Sequence, residues 1–205
     1  MREFGRLYTA LDASTSTAAK VQALREHLAL MSPADAAWAV YLLSGGKPRQ
    51  AVPTAMLRQA ACSAAGIDDW LFDECYQVVG DLAETIAHVL PNDFSCGQEH
   101  APDDGLDEAA LRPADLPGAE AGLADWMERG ILPLRGLEPH EQILRLRALW
   151  SRLAATERFL LTKLVGGGFR VGVSRLLVQR AVAELAQLEP NVVAQRMMGY
   201  TQASH

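Results

Sequence analysis

The chain has 205 residues, 49% of them hydrophobic and 6% aromatic, with a formal net charge of −6. That apolar fraction is ample for a packed core, and a length of this order fits one large domain or two small ones. No apolar run approaches the roughly 18 residues needed to cross a bilayer, and the opening MREFGRLYTALDAS lacks the apolar core of a signal peptide, so no membrane partner and a cytoplasmic location are expected.

Alanine and leucine dominate, and runs of alternating β-branched residues are scarce, which points to an all-α protein. Phe4, Leu7, Tyr8 and Leu11 recur at helical spacing before the cap-forming DASTST, and a second helix is expected from about Ala18 to Leu30. SPADAAWAVYLLSGG carries helix punctuation: Ser32 as N-cap, Pro33 at the first helical position, and Gly45 and Gly46 after the end. Pro53 opens the next helix and Gly66 closes it. IDDWLFDECYQVVGDLAETIAHVLP gives one long or two short helices, with Gly80 the break and Pro91 the stop. From about Asn92 to Gly118 the pattern dissolves into Pro, Gly, Asp and Glu, as expected of a flexible loop. Periodicity returns at about Glu120; Ile143, Leu146, Leu149, Trp150 and Leu153 form an apolar stripe, with Arg145, Arg147 and Arg152 off it. A helix begins at Thr156 and Glu157 and ends at three glycines, Ser174 caps another from Arg175 to Leu188, and Pro190 opens a last one through Met198. The expectation is a single domain over 1–205, a compact multi-helix fold of two helical halves at about 1–91 and 119–200 with the loop 92–118 between them.

Cys62, Cys75 and Cys96 show no CxxC spacing, and the first two lie in helix-like stretches where a reduced thiol acts as a small core residue. Cys96 with His100 is at most half of a metal site, so no metal is expected.

Residues 141–205 hold nine Lys/Arg and four Asp/Glu, a balance of +5, which leaves −11 for residues 1–140. Such asymmetry suggests a basic surface in the C-terminal third facing an anionic partner, or a solvated helix face balanced by acidic loops. The chemistry concentrates at GGGFRVGVS, residues 166–174, where two helix termini meet. Free backbone amides at a helix start and in a glycine turn attract anions, and glycine lets the backbone approach a phosphate closely. Arg170 lies in the turn; Arg175 stands in the first helical turn, where a cation opposes the helix dipole unless an anion is near. A tight helix connection with a solvent-facing arginine is the other reading. A nucleotide P-loop fits worse, since GK[ST] does not follow the glycines.

FLLTKLVGGGFRVGVSRLLVQRAVAEL, with VVGDLAETIAHVLP and the opening FGRLYTALDASTSTAAKVQAL, resembles the N-terminal DNA-binding domain of ATP-dependent DNA ligases, closest to the bacterial type. The likeness runs from Phe4 to about Gly199. It implies an all-α domain of two roughly symmetric halves that grips nicked double-stranded DNA across the minor groove, largely without sequence preference, in DNA replication, repair or recombination. By resemblance Gly167, Gly168, Phe169, Arg170, Gly172 and Ser174 form the family's DNA-contacting turn. Arg175, Lys163, Arg145 and Arg147 are further candidate phosphate ligands, and Gly80 in GDLAE is a second candidate point of backbone approach. Asp81 and Glu84 read as structural, with Asp81 a helix cap.

The family's ligation chemistry needs a lysine in a KxDG motif. Lys20, Lys47 and Lys163 are the chain's lysines, and none is followed by x-Asp-Gly. The chain is therefore expected to be non-catalytic alone, an excised domain whose partners include the catalytic domains of the same polypeptide, with no cofactor of its own and ATP and Mg serving the parent ligase. The alternative is a helical protein-interaction module whose basic C-terminal face docks an acidic partner. A small-molecule or phosphate enzyme fits less well, because His27, His88, His100, His140 and His205 are scattered.

Overall fold

The computed structural model describes residues 1–91 and 116–198, and all regular secondary structure among them is helical. In chain order the helices are α1 (Arg2–Asp12), α2 (Thr17–Leu30), α3 (Pro33–Leu43), α4 (Thr54–Ala65), α5 (Asp69–Val79), α6 (Leu82–Val89), α7 (Leu123–Asp125), α8 (Pro139–Trp150), α9 (Ala155–Val165), α10 (Arg175–Ala186) and α11 (Pro190–Arg196). The expected loop at 92–118 falls outside the described residues except for its last three, as do Cys96 and His100.

Local chemistry sets most boundaries. Ser16, Ser32, Asp81 and Ser174 are N-caps whose side chains accept a backbone N–H from the first turn of α2, α3, α6 and α10, each satisfying an otherwise orphaned donor. Gly80 ends α5 in the left-handed region at φ 78°, so the helical run at 69–89 is two helices. α7 leads into a π-helical turn, Trp126–Ile131, and a 3-10 turn, Leu132–Leu134. Apolar spacing alone did not anticipate that wide turn. Gly130 sits in it, where an added Cβ would meet Pro117 Cγ at 3.3 Å and Leu149 Cδ2 at 3.4 Å.

The described residues form two compact units, and these do not follow the sequence halves expected at 1–91 and 119–200. One unit takes Met1–Pro48, Gly122–Ala124 and the chain from Phe169 onward. Here α2 packs against both α1 and α10, and α11 packs on α10. Phe4, Leu7, Leu11, Leu24, Val178 and Ala181 are buried in its core. Asp35 binds the short insertion: its carboxylate accepts the Ala124 N–H at 2.7 Å, and a Cβ on Gly122 would lie 2.4 Å from it. The other unit takes Arg49–Ala121 and Asp125–Gly168. In it α4 packs on α8, α6 on α9, and α5 on α6, around Leu57, Phe72, Ile86, Trp126, Trp150 and Leu164. The expected stripe Ile143, Leu146, Leu149, Trp150 and Leu153 is buried throughout. Pairings such as α2 with α10 join chain ends far apart in sequence, which is why a division by sequence position misses them.

Candidate nucleic-acid interface

α9 ends in a double-bonded turn. Gly166 N–H donates to Thr162 O at 3.0 Å, Gly167 N–H to Leu164 O at 3.2 Å and Gly168 N–H to Lys163 O at 3.0 Å, while Gly167 adopts φ 70°. This is a Schellman-type stop, in which the left-handed residue is glycine because any Cβ is strained there. Gly166 is held close: its added Cβ would stand 3.3 Å from Thr162 O and 3.6 Å from Leu57 Cδ1. Gly168 differs. It is exposed, and a Cβ built on it meets nothing within 4 Å.

The chain passes from one unit to the other between Gly168 and Phe169. Phe169 is buried, its ring 5.5 Å from that of Phe4 and 6.0 Å from that of Tyr8, so its side chain serves the core of its unit. Arg170 follows, exposed and with no partner among the described residues. Gly172 O accepts a hydrogen bond from Lys20 Nζ at 2.6 Å, and Lys20 Nζ would lie 3.4 Å from a Cβ on Gly172. Lys20, on α2, is a turn-holding residue that sequence reasoning missed, because its target is 152 positions away. Ser174 caps α10 by accepting the Leu177 N–H at 3.3 Å.

The other candidate cations divide sharply. Arg175 is exposed, but its guanidinium donates to Met197 O at 3.2 Å, where the C-terminal carbonyls of α11 offset its unfavourable place at the start of α10. Lys163 Nζ pairs with Asp81 Oδ2 at 2.5 Å and lies 5.4 Å from the Phe159 ring centre. Arg147 donates to Ser63 Oγ at 3.4 Å. Arg152 donates to the carbonyls of Leu116 and Pro117, and Arg180 pairs with Glu184. Arg158 is buried, donating to Trp150 O at 2.9 Å and Pro91 O at 2.6 Å, and that burial pulls its pKa down from the usual arginine value. Only Arg145, Arg170 and Arg196 of the nine C-terminal cations are without a partner among the described residues. Arg196, exposed near the end of α11, was not among the sequence candidates. The basic surplus of the C-terminal third is thus spent largely on carbonyls and carboxylates of the fold.

GDLAE resolves into a junction. Gly80 provides the left-handed end of α5, and a Cβ on it would meet nothing within 4 Å. Asp81 caps α6, accepting the Glu84 N–H at 3.0 Å while pairing with Lys163. Burial pushes the Asp81 carboxyl up, but the Lys163 and Glu84 hydrogen bonds outweigh it and hold the pKa below its ordinary value. Cys62 and Cys75 are free thiols, the first buried and pushed up to about 11 by desolvation, with Asp69 adding to the shift.

The fold is all-α; at the end of one unit Gly168 has open space at its Cα, and in the other Arg170 has no partner among the described residues. The DNA ligase N terminus family model matches residues 1–183, and the chain belongs to that family. Among curated proteins none matches the chain. It is thus a DNA ligase module. No helix among the described residues is long and apolar enough to cross a membrane.

Proposed function

We propose that this module grips nicked duplex DNA through its sugar-phosphate edge and minor groove, with little dependence on base sequence, and so presents the nick to the catalytic domains of an ATP-dependent ligase. The observation that carries the reading is Arg170, an exposed guanidinium without a partner among the described residues, in a turn whose preceding glycine, Gly168, is open to close approach. Phosphate contacts of this kind position a protein without reading sequence. Gly168 and Gly80 each offer exposed backbone, Gly172 and Ser174 frame the start of α10, and Arg145 and Arg196 are further free cations. Lys163, Arg147 and Arg175 act first as supports, since their side chains are engaged in the fold.

ATP and Mg are proposed to act on the catalytic domains. This chain has no KxDG lysine, and no group of three His, Cys, Asp or Glu side chains suited to a metal occurs among the described residues. Replication, repair and recombination all require nick sealing, and a cytoplasmic location is consistent with the reading.

Arg170→Ala tests it. Binding to several unrelated nicked duplexes should weaken by a similar factor, and the slope of log K against log salt should flatten by about one unit. A loss confined to particular base sequences contradicts the proposal. Docking of an acidic partner protein by the basic face is the second reading, and it requires no DNA affinity at moderate salt.

A further inference from the structure

α5 buries one large side chain, Phe72, and leaves a row of others in solvent: Trp70 is 64% exposed, Val78 87%, Tyr76 40% and Leu71 37%. Trp70, Glu74 and Val78 are spaced i, i+4, i+8, so they share the outward face, with Leu71 beside Val78. No other helix of the described residues exposes four large apolar side chains with a tryptophan among them. The same helix carries Asp69, Asp73 and Glu74, preceded by Asp68, and no cation of its own. Arg58, from α4, pairs with Asp73 at 2.5 Å and approaches Asp69 at 3.7 Å, which offsets one of the four charges. The side-chain carboxylates of Asp68 and Glu74 have no partner among the described residues.

We infer that α5 is a docking face for a basic segment of a partner protein, with apolar anchors that cover Trp70, Leu71 and Val78 and cations that meet Glu74 and Asp68. Exposed tryptophan flanked by smaller apolar groups is the usual centre of a protein contact, and a contiguous patch of this kind marks an interaction surface. The charge selects the occupant. A duplex is repelled by a row of carboxylates, and the chain's own residues 92–115 hold seven carboxylates against one arginine, so they carry the same sign. The inference is independent of the DNA reading.

The test uses a labelled synthetic helical peptide with lysines on one face and leucines on the other, and its twin with glutamate for lysine. Titrated into the 205-residue chain, the lysine peptide should bind and should shield Trp70 from acrylamide quenching, a shielding that Trp70→Ala should remove, since Trp126 and Trp150 are buried and Trp38 is only partly exposed. The double variant Trp70→Ala/Val78→Ser should weaken that binding about tenfold or more, and Glu74→Gln should weaken it less, while nicked-duplex affinity stays unchanged in both. Arg170→Ala should leave peptide binding unchanged. Equal binding of the glutamate peptide, unchanged affinity in the folded double variant, or concentration-dependent self-association abolished by Trp70→Ala would each overturn the proposal, the last by making a second copy the occupant.

Discussion

Gly167 and Gly168 are neighbours with opposite reasons for being glycine. Gly167 holds φ 70° at the end of α9, and an alanine there costs roughly 1–2 kcal/mol of strain. Gly168 has open space around its Cα and no left-handed backbone, so Gly168→Ala should leave the urea midpoint almost unchanged while weakening DNA binding. If Gly168→Ala binds DNA as the parent chain does, close backbone approach at that residue is wrong. Phe169 behaves as core: Phe169→Ala should cost about 3–5 kcal/mol in chemical denaturation, because the rings of Phe4 and Tyr8 lose their neighbour. The sequence made Ser174 legible as a cap, because its partner Leu177 lies three residues on. It did not reveal the burial of Phe169, whose stacking partners sit at the other end of the chain.

At the level of elements, the α5–α6 junction joins three functions in two residues: Gly80 stops one helix, Asp81 starts the next, and the Asp81 carboxylate fixes α9 through Lys163. Asp81→Asn should keep the cap but lose the ion pair, a loss of about 1 kcal/mol or less because Asp81 is partly solvated. Asp81→Ala should cost more, since the cap goes as well. The pH dependence has a definite sign. The native Asp81 pKa is depressed, so the pair contributes stability above the unfolded aspartate value near pH 4 and loses it as pH falls through the lower native value. Thermal melts of the parent chain and Asp81→Asn should therefore differ at neutral pH and converge at an acid pH below both values. A constant difference down to that pH would mean that the Asn side chain perturbs packing instead. The helix boundaries here were readable because caps are local. The Lys163 pairing was not, since 82 residues separate the partners, and a lysine beside a glycine turn looks from sequence alone like a phosphate ligand.

Across the whole molecule, the positive balance of residues 141–205 reads in the sequence as a basic face, but the fold converts most of it into internal supports. Buried Arg158 ties Trp150 and Pro91, and Arg152 holds Leu116 and Pro117. Composition records charge but not its partners, so the fold class, the family motif and the candidacy of Arg170 and Arg145 were legible, while Arg196 and the engagement of Lys163, Arg147 and Arg175 within the fold were not. A grip built on so few free cations should show a modest salt dependence, about three units of slope if each meets one phosphate. The most direct measurement is fluorescence anisotropy of labelled nicked duplex titrated with the chain over a series of salt concentrations. Binding with a negative slope near that size is expected; no binding even at about 50 mM salt, where counterion release favours association most, would contradict the phosphate grip.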